Sequence, residues 1–179
     1  MAVARTFCVS VTSMAVSIPL LDLASTQRLG WRLGQRLPVG AVLLLSGPLG
    51  SGKTTLTQGL GAGLGVDQTI DSPTFTLINE YLTGRVPLYH ADLYRLEGAA
   101  ASSLYLETYW DGDEVEPGIV VIEWAERLQY LPETPIRLKL AYGEVGRCAE
   151  LVWPAGWHNQ LWSELRKGLK NDELLVDEV

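Results

Sequence analysis

The stretch Gly47-Pro48-Leu49-Gly50-Ser51-Gly52-Lys53-Thr54-Thr55 constrains the fold of this chain more than any other. It fits the phosphate-binding pattern G-x-x-x-x-G-K-[ST], which carries meaning only between a strand and a helix. Both flanks supply that setting. Ala41 to Ser46 is a short apolar run of buried-strand type. Thr54 to Leu64 carries Leu56, Leu60 and Leu64 at four-residue spacing, which predicts a helix. The local fold is therefore α/β.

The residue types follow from the chemistry of anion binding. Gly47 and Gly52 let the backbone approach a phosphate with no Cβ in the way. Successive N–H groups, among them those of Gly50, Ser51, Gly52, Lys53, Thr54 and Thr55, form a concave nest for the anion. The helix N-terminus adds free donors and a partial positive charge. Lys53 is expected to reach the β- and γ-phosphates, and the Thr54 hydroxyl to ligate Mg²⁺, a hard cation that takes oxygen ligands.

Bulk properties narrow the choice of partners. With 179 residues the chain is long enough for one domain with a sizeable core. Its formal charge of -7 argues against gripping nucleic acid unaided, since phosphate backbones call for clustered Lys and Arg. If RNA is involved, another protein holds it. Cys8 and Cys148 form no C-x-x-C, so neither a disulfide framework nor a zinc site is indicated. No run approaches the ~18 apolar residues of a membrane span. A cytoplasmic protein is expected. Residues 1–19 read as a flexible N-terminal extension with Met14 as the natural start, against the weaker reading of a secretion signal. The main domain is expected over 20–154, and a C-terminal helix with an acidic tail over 155–179.

Along the domain, Leu20 to Leu37 has helical spacing, with Ser25 or Thr26 as its cap. Gly61, Gly63 and Gly65 loosen and end the phosphate-loop helix. Thr76 to Tyr81 and Val86 to Leu93 read as a hairpin-like strand pair. His90, Asp92 and Tyr94 fall on one face of its second strand. Ser102 to Tyr109 reads as a short helix and Asp111 to Gly118 as an acidic turn. Gly118 to Trp124 is a second buried-type strand ending in a carboxylate, and Ile136 to Leu140 and Ala149 to Trp153 are two more strands. Trp157, Leu161, Leu165 and Leu169 make a helical stripe.

Hydrolysis needs a carboxylate for the metal and a water aimed at the γ-phosphate. Glu123 is the strand-end candidate for the metal, and the alternative is a plain surface acid. Asp92, on a mainly apolar strand, either serves the metal's water shell or the attacking water, or pairs with Arg95. Thr74 is a switch-type residue or a plain loop threonine, and Trp124 is core or a cover for the site. His90 reads as a structural or edge-strand histidine rather than a base.

Four blocks in order resemble the bacterial tRNA threonylcarbamoyladenosine biosynthesis ATPases (TsaE, also called YjeE). They are the phosphate loop, Ser72-Pro73-Thr74-Phe75-Thr76-Leu77-Ile78-Asn79-Glu80-Tyr81, His90-Ala91-Asp92-Leu93-Tyr94-Arg95-Leu96, and Ile122-Glu123-Trp124-Ala125-Glu126-Arg127-Leu128. The similarity covers about residues 20 to 153. It implies a single P-loop NTPase domain with a mixed, mainly parallel sheet flanked by helices, binding ATP with Mg²⁺. It also implies an accessory ATPase of low intrinsic turnover. Its target is the partner complex (TsaD with TsaB) that places threonylcarbamoyl on the adenosine next to the anticodon, in tRNAs reading codons that begin with A. Matched by position, Lys53 is the phosphate-loop lysine, Thr54 and Glu123 serve Mg²⁺, and Asp92 and Trp124 hold functionally important positions. Thr74 falls in the family's mobile loop, and Gly146 matches a glycine near the nucleotide. Pro48 stands where relatives often have Asp, and Ala125 where many have Pro.

A small-molecule kinase shares the phosphate loop but needs a basic lid, whereas Arg127, Arg137 and Arg147 are scattered. A nucleotide-binding module without turnover is the other alternative. A GTPase is disfavoured, since N-K-x-D and D-x-x-G are missing.

Overall fold

The computed structural model describes residues 15–96, 103–112 and 114–154, together with Ser163 and Lys167, both helical. The stretch 1–14 and most of the C-terminal segment, including the stripe from Trp157 to Leu169 and the acidic tail, lie outside the described residues.

Chain order is β1 (Ala15–Leu20), α1 (Leu23–Arg36), β2 (Val42–Ser46), α2 (Lys53–Leu64), β3 (Ile78–Tyr81), β4 (Leu88–Asp92), β5 (Ile119–Glu123), β6 (Ile136–Tyr142) and β7 (Arg147–Val152). They form one mixed sheet in the order β1-β7-β6-β2-β5-β4-β3. The central strands β6, β2, β5 and β4 are parallel. Antiparallel pairings flank them: β3 on β4, and β7 on β6 with β1 beyond. Because the four central strands point the same way, the phosphate loop after β2, Asp92 at the end of β4 and Glu123 at the end of β5 all reach one edge of the sheet.

Alternation along the strands divides the core. Leu43 and Leu45 face α1 and α2, in a cluster with Leu29, Leu33, Leu56 and Leu60. Val42 and Leu44 face the other way, toward Tyr89, Leu106 and Ile122. The two long helices lie on the first side. The second is covered by two 3-10 turns, Leu106–Tyr109 and Ala125–Arg127, and by the half-buried Trp110 and Trp124. The short helix expected over 102–109 is thus a 3-10 turn in its described part.

Three sequence expectations are corrected here. Ala15 to Pro19, assigned to the flexible extension, lie in β1, paired antiparallel with β7. Leu20 belongs to that strand too, so α1 starts later, and its cap is Asp22 rather than Ser25 or Thr26. The Asp22 carboxylate accepts from the Ser25 N–H at 2.7 Å, while the Asp22 N–H donates to Ser25 Oγ at 3.0 Å, a reciprocal capping box. Bonding to Ser25 pulls the Asp22 carboxyl below its ordinary range. Such a group stabilises the fold above its unfolded pKa, and the gain is lost as pH falls through the lowered folded value. Asp22→Ala should therefore melt below the parent at neutral pH, and the gap between the two melting temperatures should narrow on acidification below pH 3.8, where the ionised form is lost. A gap unchanged in acid would rule out a contribution from the ionised cap.

The third correction concerns glycines. Gly59, Gly61 and Gly63 lie inside α2, and only Gly65, in the left-handed region at φ 82°, ends it. Gly30 and Gly34 of α1 face this helix. A Cβ on Gly30 would lie 2.1 Å from the Leu56 carbonyl oxygen, and one on Gly34 2.0 Å from that of Leu60. Gly59 and Gly63 return the contact, meeting the carbonyl oxygens of Gln27 and Trp31 at 2.2 and 2.1 Å. The four-residue spacing places each pair on one helix face. The helices thus meet backbone to backbone, an approach that small residues at this spacing permit. The Arg85 guanidinium then bonds the carbonyls of Gly34 and Leu37, closing the C-terminal end of α1.

Candidate functional site

The loop after β2 is shaped by close approach. A Cβ on Gly47 would strike the Leu140 carbonyl oxygen at 2.2 Å, and Gly52 stands at φ 101°, where a side chain is strained. Gly52 is also the residue before α2, so the loop N–H groups and the first turn of the helix face the same space. A cleft of about 330 Å³ opens there. Its floor is Gly50, Gly52, Lys53, Thr54 and Thr55. Ser72, Thr74, Asp92 and Tyr94 form one side, Glu123 and Trp124 the back, and Leu49 and Arg147 the other side.

Lys53 is 5% exposed and donates through Nζ to the carbonyls of Gly47 at 2.8 Å and Pro48 at 3.0 Å. Its ammonium lies 4.0 Å from the centre of the Trp124 ring. Burial lowers the Lys53 pKa, and the charges of Glu123, Glu126 and Asp92 pull it partly back. Trp124 holds a left-handed backbone at φ 58°, which costs a non-glycine residue on the order of 1–3 kcal/mol. Its ring packs on Tyr94 with centroids 5.0 Å apart. Behind both, Arg127 bonds the carbonyls of Leu93, Tyr94 and Leu96 and lies against the two rings. Trp124 thus both lines the cleft and packs on the core cluster of that face. Of the three scattered arginines, Arg127 braces this ring, Arg147 lines the opposite wall, and Arg137 projects outward from β6.

The two acids face each other across neighbouring strands, Asp92 opposite Glu123 in register, and each is 3% exposed. They are held differently. Asp92 Oδ2 accepts from the hydroxyls of Ser72 at 2.8 Å and Thr74 at 2.7 Å, and Oδ1 from the Tyr94 N–H at 2.9 Å. It therefore ties the loop from Ser72 to Leu77 to the end of β4. Arg95, the alternative partner for Asp92, lies instead over the Phe75 ring at 4.1 Å. Glu123 Oε2 accepts from the Thr54 hydroxyl at 3.2 Å, and Oε1 is 2.9 Å from His90 Nε2. His90 is no edge-strand residue: β4 has neighbours on both sides, and the ring is fully buried.

Lys53, Thr54, Thr55, Asp92 and Glu123 are thus brought together, with Gly50 and Gly52 beneath them. Ser51 is fully buried and its Oγ has no partner among the described residues. Gly146 does not line the cleft. Its turn presses on β1, where a Cβ would meet the Leu20 carbonyl oxygen at 2.4 Å, and it is the adjoining Arg147 that reaches the loop, donating to the Gly50 carbonyl at 3.2 Å. Sequence reading missed Ser72, Tyr94 and the His90–Glu123 pair. Tyr94 had a signal in its place after Asp92, whereas the pairing of His90 with a strand 33 residues on had none.

Among the described residues no group of three or more His, Cys, Asp or Glu is arranged to hold a metal ion. The Thr54 hydroxyl and Glu123 carboxylate suit Mg²⁺, which takes one or two protein oxygens and completes its shell with water and phosphate. No helix of the described residues is long and apolar enough to cross a membrane.

The model of the family described as "Threonylcarbamoyl adenosine biosynthesis protein TsaE" matches residues 20–148. A tRNA threonylcarbamoyladenosine biosynthesis protein TsaE from Nostoc sp. is 59% identical over 134 residues, covering 74% of this chain and 83% of the relative. The protein of that name from Synechocystis sp. is 52% identical over 120 residues, covering 67% and 75%. Among solved structures, Bacillus subtilis YdiB superposes with a TM-score of 0.70 at 28% identity, covering 90% of this chain and 98% of that one.

Proposed function

The chain belongs to the TsaE family of threonylcarbamoyl adenosine biosynthesis proteins, and from that premise we propose that it binds and hydrolyses ATP with Mg²⁺ as an accessory protein of tRNA threonylcarbamoyl modification. The observation that carries the reading is the convergence of Lys53, Thr54 and Glu123 on one cleft at the carboxyl edge of the parallel strands.

In this reading the loop N–H groups from Gly50 to Thr55 cradle the phosphates. Lys53 turns from the Gly47 and Pro48 carbonyls toward the β- and γ-phosphates, under the Trp124 ring. Thr54 and Glu123 would hold Mg²⁺, which when bound neutralises phosphate charge. Asp92 holds the Ser72–Leu77 loop through Oδ2, which accepts from Ser72 and Thr74, while Oδ1 accepts only the Tyr94 N–H and keeps capacity to orient a water. Positioning and charge stabilisation then do most of the chemistry. The net charge of -7 fits a protein that meets tRNA only through a transferase complex of the TsaD and TsaB type, in the cytoplasm.

The test is ATP turnover with Mg²⁺, first alone and then with those partners and tRNA. Slow turnover alone and strong stimulation by the complex are expected. Equal turnover with and without partners would favour an independent ATPase or kinase. Intact ATP binding with no turnover under any condition would favour a non-enzymatic module.

A further inference from the structure

His90 is a fully buried polar residue in a strand otherwise made for the core, on the same face as Leu88, which packs among the helix-side leucines. A polar ring there is costly unless a partner satisfies it. Its Nε2 lies 2.9 Å from Glu123 Oε1, and its Nδ1 has no hydrogen-bond partner among the described residues. Among the described residues Glu123 is therefore the ring's single hydrogen-bond partner. The same carboxylate meets the Thr54 hydroxyl with its other oxygen. Each oxygen of Glu123 thus has a separate task, one turned inward to His90 and one outward to the cleft.

The strand register explains the need. Glu123 stands directly opposite Asp92, and both are 3% exposed. Two carboxylates so placed repel, and His90 meets Glu123 through the oxygen that does not face Thr54. Val121 is the residue opposite His90, so the imidazole crosses diagonally from β4 to β5 to reach Glu123. It fixes the side chain from behind, on the side away from the cleft: His90 does not line the cleft, while Thr54, Asp92 and Glu123 do.

We propose that His90 is a positioning residue for the metal-binding carboxylate: its Nε2–H holds Glu123 Oε1 so that Oε2 stays beside Thr54, and it thereby sets the affinity for the divalent cation. The inference rests on the assignment of Thr54 and Glu123 to Mg²⁺. Partners that orient a ligating side chain in this way are typically worth about 10–100-fold in metal affinity. His90 touches neither nucleotide nor the reacting atoms.

The experiment is calorimetric titration of ADP into the full chain over a series of Mg²⁺ concentrations, and again in excess EDTA. Parent, His90→Leu, His90→Gln and Glu123→Gln are compared, with thermal melting of each. His90→Leu should bind ADP as the parent does in EDTA, yet need about 10–100-fold more Mg²⁺ to reach the metal-enhanced affinity. His90→Gln, whose amide can place a donor near the same point, should recover most of the difference even if its melting temperature is lowered. A metal requirement in His90→Leu equal to the parent's overturns the proposal, as does an equal loss with and without metal, which would mark His90 as part of the scaffold only. A parent, or a Glu123→Gln variant, whose ADP binding shows that Mg²⁺ is not held by Glu123 overturns the metal-site assignment itself and the proposal with it.

Discussion

Gly30→Ala should destabilise the protein, although alanine is the better helix former by about 0.8–1.0 kcal/mol. The reason is the seam between α1 and α2. The added Cβ would sit 2.1 Å from the Leu56 carbonyl oxygen, and in Gly34→Ala it would sit 2.0 Å from that of Leu60. Carbon–oxygen contacts settle at about 3.3 Å, so a helix must move by about 1 Å. Neither obstacle is a side chain that can rotate away; both are main-chain atoms inside a helix. Overpacking of this kind costs typically 1–3 kcal/mol, a fall in melting temperature of about 2–12 °C for a chain of this size. Gly34→Leu should exceed that and leave little folded protein. Thermal melting followed by circular dichroism reads the effect. A Gly30→Ala variant that melts at or above the parent would mean that the helices are not in backbone contact. Because α2 carries Lys53 and Thr54 in its first turn, the partly tolerated alanine variants should also bind nucleotide more weakly.

Lys53→Ala should abolish nucleotide binding measured by calorimetry, with or without Mg²⁺. Lys53 lies on the floor of the cleft, with Arg147 on its wall, and the Lys53 ammonium is already largely out of water, so a phosphate there meets little competing solvent. Glu123→Ala should behave differently. It leaves the loop N–H groups and Lys53 in place, so binding in EDTA persists, while partner-stimulated turnover falls by about 10²–10³, the usual cost of losing one charge-stabilising group. Retention of ATP affinity by Lys53→Ala would sink the phosphate-loop reading. Unchanged turnover in Glu123→Ala would sink the metal assignment.

Much of the architecture is local in origin and was legible for that reason. The apolar runs at 41–46 and 118–124, and the pattern from Gly47 to Thr55, depend on neighbours in sequence, and the structure places strands and a loop there. The features that escaped are those in which distant residues decide. Gly61 and Gly63 read as helix-loosening because propensity counts against them, yet they stand within α2 because that helix needs close neighbours. Ser25 and Thr26 look as good a cap as Asp22; what decides is that β1 extends to Leu20 to pair with β7. In the site, Glu123 was visible as the end of a strand, but its two partners, Thr54 and His90, are 69 and 33 residues away. Ser72 and Thr74 could be marked as loop residues, whereas their common acceptor, Asp92, appears only when β4 lies beside them.

The order of the strands has a consequence for solubility. A sheet that does not close leaves two borders at which another chain can add a strand and begin an aggregate. One border here is β3, only four residues long, with Asn79 and Glu80 in its middle. The other is β1, whose Pro19 lacks an N–H and interrupts the row of donors. The fully apolar runs of β2 and β5 lie in the middle of the sheet, each strand hydrogen-bonded on both sides. The segments most able to seed cross-strand association are thus the ones least available for it, and the borders that remain are short or broken.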